Sequence, residues 1–361
     1  MLNRKLTSLF IALFIALPLL AQVRGNIAIP NLNGYVTLKC DFHTHTVFSD
    51  GLVWPTVRID EAYREGLDAI AITDHIEYRP HKNDVVASHN RSYEIAKKRA
   101  EEKGIILIKG SEISRDMPPG HNNALFITDS DVLDTTEYID AFRAAQAQNA
   151  FIFWNHPNWV AQQPDTTLWM DEHTELFQQG LMHGIEVVNR SYCPEAHRWC
   201  LDKKLTMLGN SDMHQPIQYD VDFSSGKHRT MTFVFAKNAT AEGIREALFE
   251  RRTAVYSDDL VVGEEKYLKE LFENALEWKI GKKDSVTVLI TVKNKSDLAF
   301  RLKKTHHDVR LLYFREMTIV PQGEHTIVVK LQDGIESGEV SFIVENFLVQ
   351  PNEGMKYSIK F

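Results

Sequence analysis

Cysteine is scarce in this chain. There are three among 361 residues, Cys40, Cys193 and Cys200. The number is odd and no C-x-x-C spacing occurs, so a disulfide framework is excluded as the basis of the fold. Cys193 and Cys200 could still pair in an oxidising compartment; free, partly buried thiols are the equal alternative. Long apolar runs are missing after residue 21, which excludes a later membrane-spanning helix of about 20 residues. An excess of positive charge is missing too. Lys and Arg number 41 against 49 Asp and Glu, a formal net charge of -8. That argues against broad electrostatic binding to nucleic acid or anionic membrane. Internal repeats and low-complexity tracts are absent, which excludes a repeat architecture.

What is present begins at the N-terminus. Arg4 and Lys5 precede an apolar stretch over residues 9–21, the pattern of a secretory signal peptide spanning 1–22. An uncleaved anchor is the alternative. No Cys follows the stretch to carry a lipid. Cleavage near Ala21 or Gln22 would leave an exported protein, periplasmic or secreted, with no membrane span. The rest of the chain is 43% apolar and 25% charged by overall composition, ordinary for a globular protein with a sizeable core.

From residue 35 to about 258, near-continuous apolar runs alternate with helical patterns. The runs 36–40, 69–73, 105–109, 151–154, 185–188, 206–208 and 230–235 predict seven strands, whose character suits a parallel sheet covered on both faces. Helices are predicted over 55–66, 93–103, 136–149, 194–204 and 240–252, the first two stopped by Gly66 and Gly104. An added strand is expected over 124–128. After residue 276, alternating residues such as Val286, Val288, Ile290 and Val292, with turns at 321–323 and 333–334, predict an antiparallel β unit. The expected organisation is a signal peptide (1–22), a catalytic barrel (35–260), a linker helix (261–278) and a C-terminal β-sandwich domain (279–361).

His, Asp and Glu residues close the predicted strands. They are His43, His45, Asp50, His75, Glu112, His121, His156, Asp212 and His214. All are of the types that hold Zn, Mn or Fe. Side chains alternate along a strand, so His43 and His45 project to the same side, as do Asp212 and His214. An isolated His or carboxylate at a strand end is usually a surface or structural residue; nine at repeated strand ends predict one polynuclear metal centre. Ligands from at least six strand ends converge naturally only at the mouth of a closed barrel. The fold class is therefore α/β, a distorted seven-stranded (β/α) barrel followed by a small antiparallel β-sandwich.

The ordered motifs His43-x-His45, Ser49-Asp50-Gly51, Thr73-Asp74-His75, Gly110-Ser111-Glu112, Gly120-His121, Asn155-His156-Pro157 and Ser211-Asp212-x-His214 resemble the PHP (polymerase and histidinol phosphatase) superfamily of metal-dependent phosphoesterases. The resemblance covers roughly residues 36–258. It implies a TIM-like PHP barrel and up to three divalent ions. One would take His43, His45, Glu112 and Asp212. A second would share Glu112 and add His121 and His156. A third would take Asp50, His75 and His214.

Clustered divalent ions lower the pKa of bound water and hold phosphoryl oxygens. The expected reaction is hydrolysis of a phosphomonoester or phosphodiester by a metal-bridging hydroxide. Glu112 is the bridging carboxylate, and Asp212 and His214 complete the catalytic set. Arg79, Arg115 and Arg190 follow strand ends and could hold the substrate phosphate, with an exposed structural arginine the alternative for each. The expected substrate is small and phosphorylated, a nucleotide or sugar phosphate, with no stable nucleic-acid complex. Two other readings are open: a metal-dependent amidohydrolase, and a non-catalytic metal-binding module whose β domain binds a glycan or partner. The absence of a carboxylated-lysine motif favours phosphorus chemistry.

Overall fold

The structure, a computed structural model, describes residues 23–305 and 308–361. The expected signal peptide, and His306 and His307, lie outside the described residues.

Apolar strands alternate with helices as the sequence pattern predicts. In chain order they are Val36–Asp41 (β1), Pro55–Glu65 (α1), Ala69–Ile72 (β2), Arg91–Lys103 (α2), Ile106–Ile113 (β3), Asn122–Leu125 (β4), Tyr138–Ala147 (α3), Phe151–Trp154 (β5), Asp171–Gln178 (α4), Gly184–Asn189 (β6), Ser191–Tyr192 (β7), Pro194–Lys203 (α5), Thr206–Gly209 (β8), Met231–Ala236 (β9), Ala241–Phe249 (α6), Thr253–Ser257 (β10) and Leu260–Gly263 (β11). Helix α4 has no counterpart in the sequence reading. Gly66 ends α1 at φ 84°, a left-handed conformation that glycine adopts without a Cβ penalty. Thr240 caps α6, its Oγ1 accepting from the Gly243 amide.

Strand direction departs from the expected parallel sheet. β1, β2 and β3 run parallel to one another, as do β5, β6 and β8. β4 is antiparallel to β3 and β5, and β9 is antiparallel to β1 and β10. The reason is connection length and content. Parallel neighbours need a crossover, usually a helix. Residues 114–121 between β3 and β4 contain none, and those between β8 and β9 contain only short 3-10 turns.

The sheet is mixed, and it does not close into a seven-stranded barrel. β8 shares no backbone ladder with β9 or β10. Side chains span the gap instead. Thr232 Oγ1 donates to the Gly209 carbonyl and accepts from its amide, at 2.8 and 3.0 Å. Thr253 Oγ1 donates to the Met207 carbonyl at 2.8 Å. Gly209 is required here, because a Cβ would meet Val255 Cγ1 at 2.1 Å. The curled sheet thus gathers its strand ends at one mouth without a continuous ring of hydrogen bonds.

Helix Glu265–Ala275 (α7) leads into the C-terminal unit and buries Leu268, Leu271, Phe272 and Ala275, one stripe at helical spacing. One antiparallel sheet runs in the order Leu276–Asp284 (β12), Thr287–Asn294 (β13), Glu324–Leu331 (β17), Leu311–Leu312 (β15). The facing sheet joins Glu316–Ile319 (β16), Phe300–Lys304 (β14), Glu339–Gln350 (β18) and Glu353–Lys360 (β19). This β-sandwich is fused to the first unit. β18 pairs in parallel with β11, Val261 opposite Phe347 and Val262 opposite Leu348. Phe272 packs on Phe300 and Tyr357, ring centroids 5.1 and 4.9 Å apart. Among the described residues no helix is long and apolar enough to cross a membrane. All three cysteines are free and buried; burial pushes the Cys193 thiol up to about 12.

Candidate metal centre

The mouth of the curled sheet is assembled by backbone pairing that outlasts the strands. Beyond β1, the His45 amide bonds the Met213 carbonyl and the Asp212 amide bonds the His43 carbonyl, each at 3.0 Å. Beyond β2, the Ile76 amide bonds the Glu112 carbonyl at 2.9 Å. These bridges set His43, His45, Asp212 and His214 against one another, and His75 against Glu112. Glu112 itself lies inside β3, which runs four residues past the predicted end because β4 pairs with residues 110–113.

Two buried arginines hold the same loops. Arg58 donates to the carbonyls of His45, Met213 and Gln215 and pairs with Glu61 at 2.7 Å. Arg229 pairs with Glu65 and with Asp41, and Asp41 in turn accepts from Ser211 Oγ. Two ligand candidates bend out of extended backbone into the left-handed region, His156 at φ 31° and Asp212 at φ 53°. Strained conformations of this kind persist only where surrounding contacts enforce them.

All nine predicted ligands come together. His43 Nε2 and His45 Nε2 each lie 3.2 Å from Asp212 Oδ1 and 3.4 Å from Glu112 Oε2. A tetrahedral ion with bonds of about 2.0–2.1 Å would put its ligand atoms about 3.3–3.4 Å apart. Around the second Glu112 oxygen, His121 Nδ1 is at 3.0 Å and His156 Nε2 at 3.6 Å. Asp50 Oδ1 lies 3.2 Å from His214 Nε2 and 3.4 Å from His75 Nε2. His75 also turns Nδ1 toward Glu112 Oε2 at 2.8 Å, which joins this group to Glu112. His45 reaches the Asp50 side as well, with Nδ1 3.8 Å from Oδ1.

The donor set fits metal ions on an observation independent of spacing. His43 Nε2, His45 Nε2, Asp50 Oδ1 and Glu112 Oε2 are buried and have no hydrogen-bond partner. Buried polar atoms are nearly always satisfied, and here His43 Nε2 and His45 Nε2 both face Glu112 Oε2, while Asp50 Oδ1 faces the His75 and His214 rings.

Their electrostatics agree. Burial alone would raise the Glu112 carboxyl, yet His75, His43 and His121 hold it well below the usual carboxylate range. Burial opposes a charge on His75, but Glu112 and Asp50 bring it up to about 10. Burial, with His75 and His214 as neighbours, presses His45 down to about 3. Asp212, Glu112 and Glu186 outweigh burial at His43 and raise it. An ion entering the cluster would therefore displace a proton from His75, which its carboxylate neighbours hold charged.

Glu186 is a residue the sequence reading missed. It is buried in β6 and accepts from His43 Nδ1 at 3.0 Å, which leaves Nε2 of that ring unprotonated toward the cluster. It also accepts from Asn210, Asn189 and the His156 amide. A carboxylate inside the apolar run Gly184-Ile185-Glu186-Val187-Val188 was the available signal. Asp74, just before His75, supports the site from behind. It binds Thr46 and Ser49, and so fixes the loop between His45 and Asp50.

A cavity of about 780 Å³ opens over the cluster, lined by Asp50, His75, His121, His156, Asp212 and His214 with Tyr78, Trp159 and Arg190 at its walls. The three arginines named from sequence differ in placement. Arg79 does not line the cavity; it donates to the carbonyls of Phe48 and Ala87. Arg115 lines it, but its guanidinium is committed to Glu77 at 2.7 Å and to the carbonyls of Thr135 and Thr136. Arg190 is exposed, sits at φ 56° just past β6, and makes no ion pair with a described residue.

Comparisons with known proteins agree with this geometry. The PHP domain model matches residues 41–211, and a model of an Ig-like domain matches 276–360. A crystal structure from Bacteroides vulgatus, of a two-domain protein containing a predicted PHP-like metal-dependent phosphoesterase, is 57% identical with a TM-score of 0.93, covering 94% of this chain and 99% of that one. A 5'-3' exoribonuclease from Haemophilus influenzae is 39% identical over 79 residues, 22% of this chain and 24% of that protein. The chain thus spans about a quarter of that relative's length.

Proposed function

The chain belongs to the PHP family of metal-dependent phosphoesterases, and from that premise we propose that it hydrolyses a small phosphomonoester or phosphodiester at a centre of up to three divalent ions, Zn, Mn or Fe. The observation that carries this reading is the group of buried, unpartnered ligand atoms on His43, His45, Asp50 and Glu112.

When bound, such ions activate water and neutralise phosphoryl charge. The chain supplies the rest. Glu112 spans two of the ligand groups, one carboxylate oxygen to each. Asp212 joins His43 to His45 and lies beside His214. Glu186 keeps His43 in the tautomer that faces the cluster. Arg190 stands at the cavity wall with its guanidinium uncommitted, suited to a bidentate grip on a phosphate. No lysine is among the cavity-lining residues, which favours phosphorus chemistry over the carboxylated-lysine route of an amidohydrolase. The reading keeps export, on the basic-then-apolar pattern of residues 4–21.

The test is a panel of esters offered to Mn- or Zn-loaded protein: nucleotides, sugar phosphates, phosphodiesters and amides. Phosphate or alcohol release from at least one phosphate ester is expected. Amide hydrolysis with no phosphate ester cleaved would overturn the proposal.

A further inference from the structure

His173 lies on α4, outside the ligand set, and is fully buried. Its Nδ1 accepts from the Met170 amide at 2.9 Å, so Nε2 carries the proton. That Nε2 lies 3.0 Å from the Pro119 carbonyl and donates to it. The ring stacks on Trp154, centroids 3.9 Å apart at 25°. Both nitrogens and one face are thus constrained, and burial lowers the pKa and keeps the ring neutral.

Pro119 is two residues before His121. It belongs to the stretch 114–121, which joins β3 to β4 without a ladder of its own. The stretch is held from outside at other points too: Gln162 Nε2 donates to the Arg115 carbonyl at 2.9 Å, the Arg115 guanidinium bonds Glu77, Thr135 and Thr136, and the Asn155 amide bonds the His121 carbonyl. Gly120, at φ 79°, leaves little slack, since a Cβ there would stand 3.2 Å from Trp154 Nε1. The ring that holds Pro119 therefore also sets the path by which the chain enters His121.

We propose that His173 is a positioning residue for His121, and through it governs occupancy of the ion that Glu112, His121 and His156 would share. The inference rests on the metal-centre reading above. It also gives α4 a role, as the rigid base of a ligand-bearing loop. Residues that orient a ligand from outside the coordination sphere typically change metal affinity about 10–100-fold when replaced.

The experiment compares the wild type with His173→Phe and His173→Gln. Metal per chain is measured by elemental analysis, and stepwise affinity by titration with Mn or Zn. Phenylalanine keeps the stacking but donates nothing to Pro119. One binding step should weaken about 10–100-fold, with the others unchanged and the near-ultraviolet circular dichroism of the fold retained. Glutamine can still donate, and should restore most of that step. Wild-type affinities throughout in the Phe variant would overturn the proposal, as would a Gln variant as impaired as Phe. If the Phe variant does not fold, Gln162→Leu loosens the same loop at a second point, the Arg115 carbonyl. The same selective loss is then expected, and unchanged affinities would overturn the proposal. A wild type that takes up fewer than two ions would instead sink the metal reading itself.

Discussion

Glu112→Gln is expected to lower kcat/KM for phosphate release by at least about 10³-fold, while the metal-free protein melts within a few degrees of wild type. The argument is geometric. One oxygen of Glu112 faces His43 and His45, and the other faces His121 and His156. An amide keeps the shape but replaces one ligand oxygen with an NH₂ group that cannot coordinate, and removes the negative charge. Loss of a single preorganised stabilising group costs about 10²–10³ in rate; in the proposed centre two ions would lose a shared ligand at once. Steady-state kinetics with elemental analysis, and thermal melting of the metal-free protein, check both halves. A variant that keeps wild-type turnover and metal content would remove Glu112 from the chemistry.

The second large effect is on stability. Arg229 is fully buried and pairs with Glu65 and with Asp41, the latter at 2.9 Å. Burial opposes its charge, and the two carboxylates more than restore it. Arg229→Met leaves both carboxylates buried without their partner. Breaking a buried pair in this way costs about 3–5 kcal/mol, a large share of a total of about 5–15 kcal/mol. A fall in Tm of roughly 10 °C is expected.

The deficit should depend on pH, with a definite sign. Burial already raises Glu65 above its ordinary value, and loss of the arginine raises it further. A carboxyl with a raised folded pKa binds more protons folded than unfolded, so stability falls as pH rises through that window. The variant should therefore lose more at pH 8 than at pH 5. Asp41 also accepts from Ser211, just before Asp212, so activity should drop along with stability. Equal melting of wild type and variant at pH 8 would contradict this account of the network.

Much of this architecture was legible from the chain, and the reasons are local. Strands such as Ala69–Ile72 and Phe151–Trp154 are apolar throughout because both faces are covered. His43-x-His45 and Asp212-x-His214 could be read as same-side pairs from strand alternation alone. Strand direction could not be read. β9 looks like its neighbours in composition and β4 is only a short strand opening on two asparagines, so only the connections without an α-helix before them, 114–121 and 210–230, reveal the reversal. The open seam between β8 and β9 depends on Gly209 and two threonines, Thr232 and Thr253, that resemble ordinary strand residues.

The charges that support the site were the hardest to see. Arg58, Glu61, Glu65 and Arg229 sit on polar-looking helix and loop positions that usually face solvent, yet all are buried. Glu186 was visible in principle as a lone carboxylate in an apolar strand. Arg79 shows the opposite error. Its place after a strand end suggested substrate binding, but its guanidinium is tied to backbone.

The most direct measurement is the number of Mn or Zn ions per chain in wild-type protein loaded and freed of excess metal. The cluster of His43, His45, Asp50, His75, Glu112, His121, His156, Asp212 and His214 predicts two or three ions, with protons released as they bind. One ion or none, under conditions that saturate the site, would contradict the polynuclear centre on which the proposed hydrolysis depends.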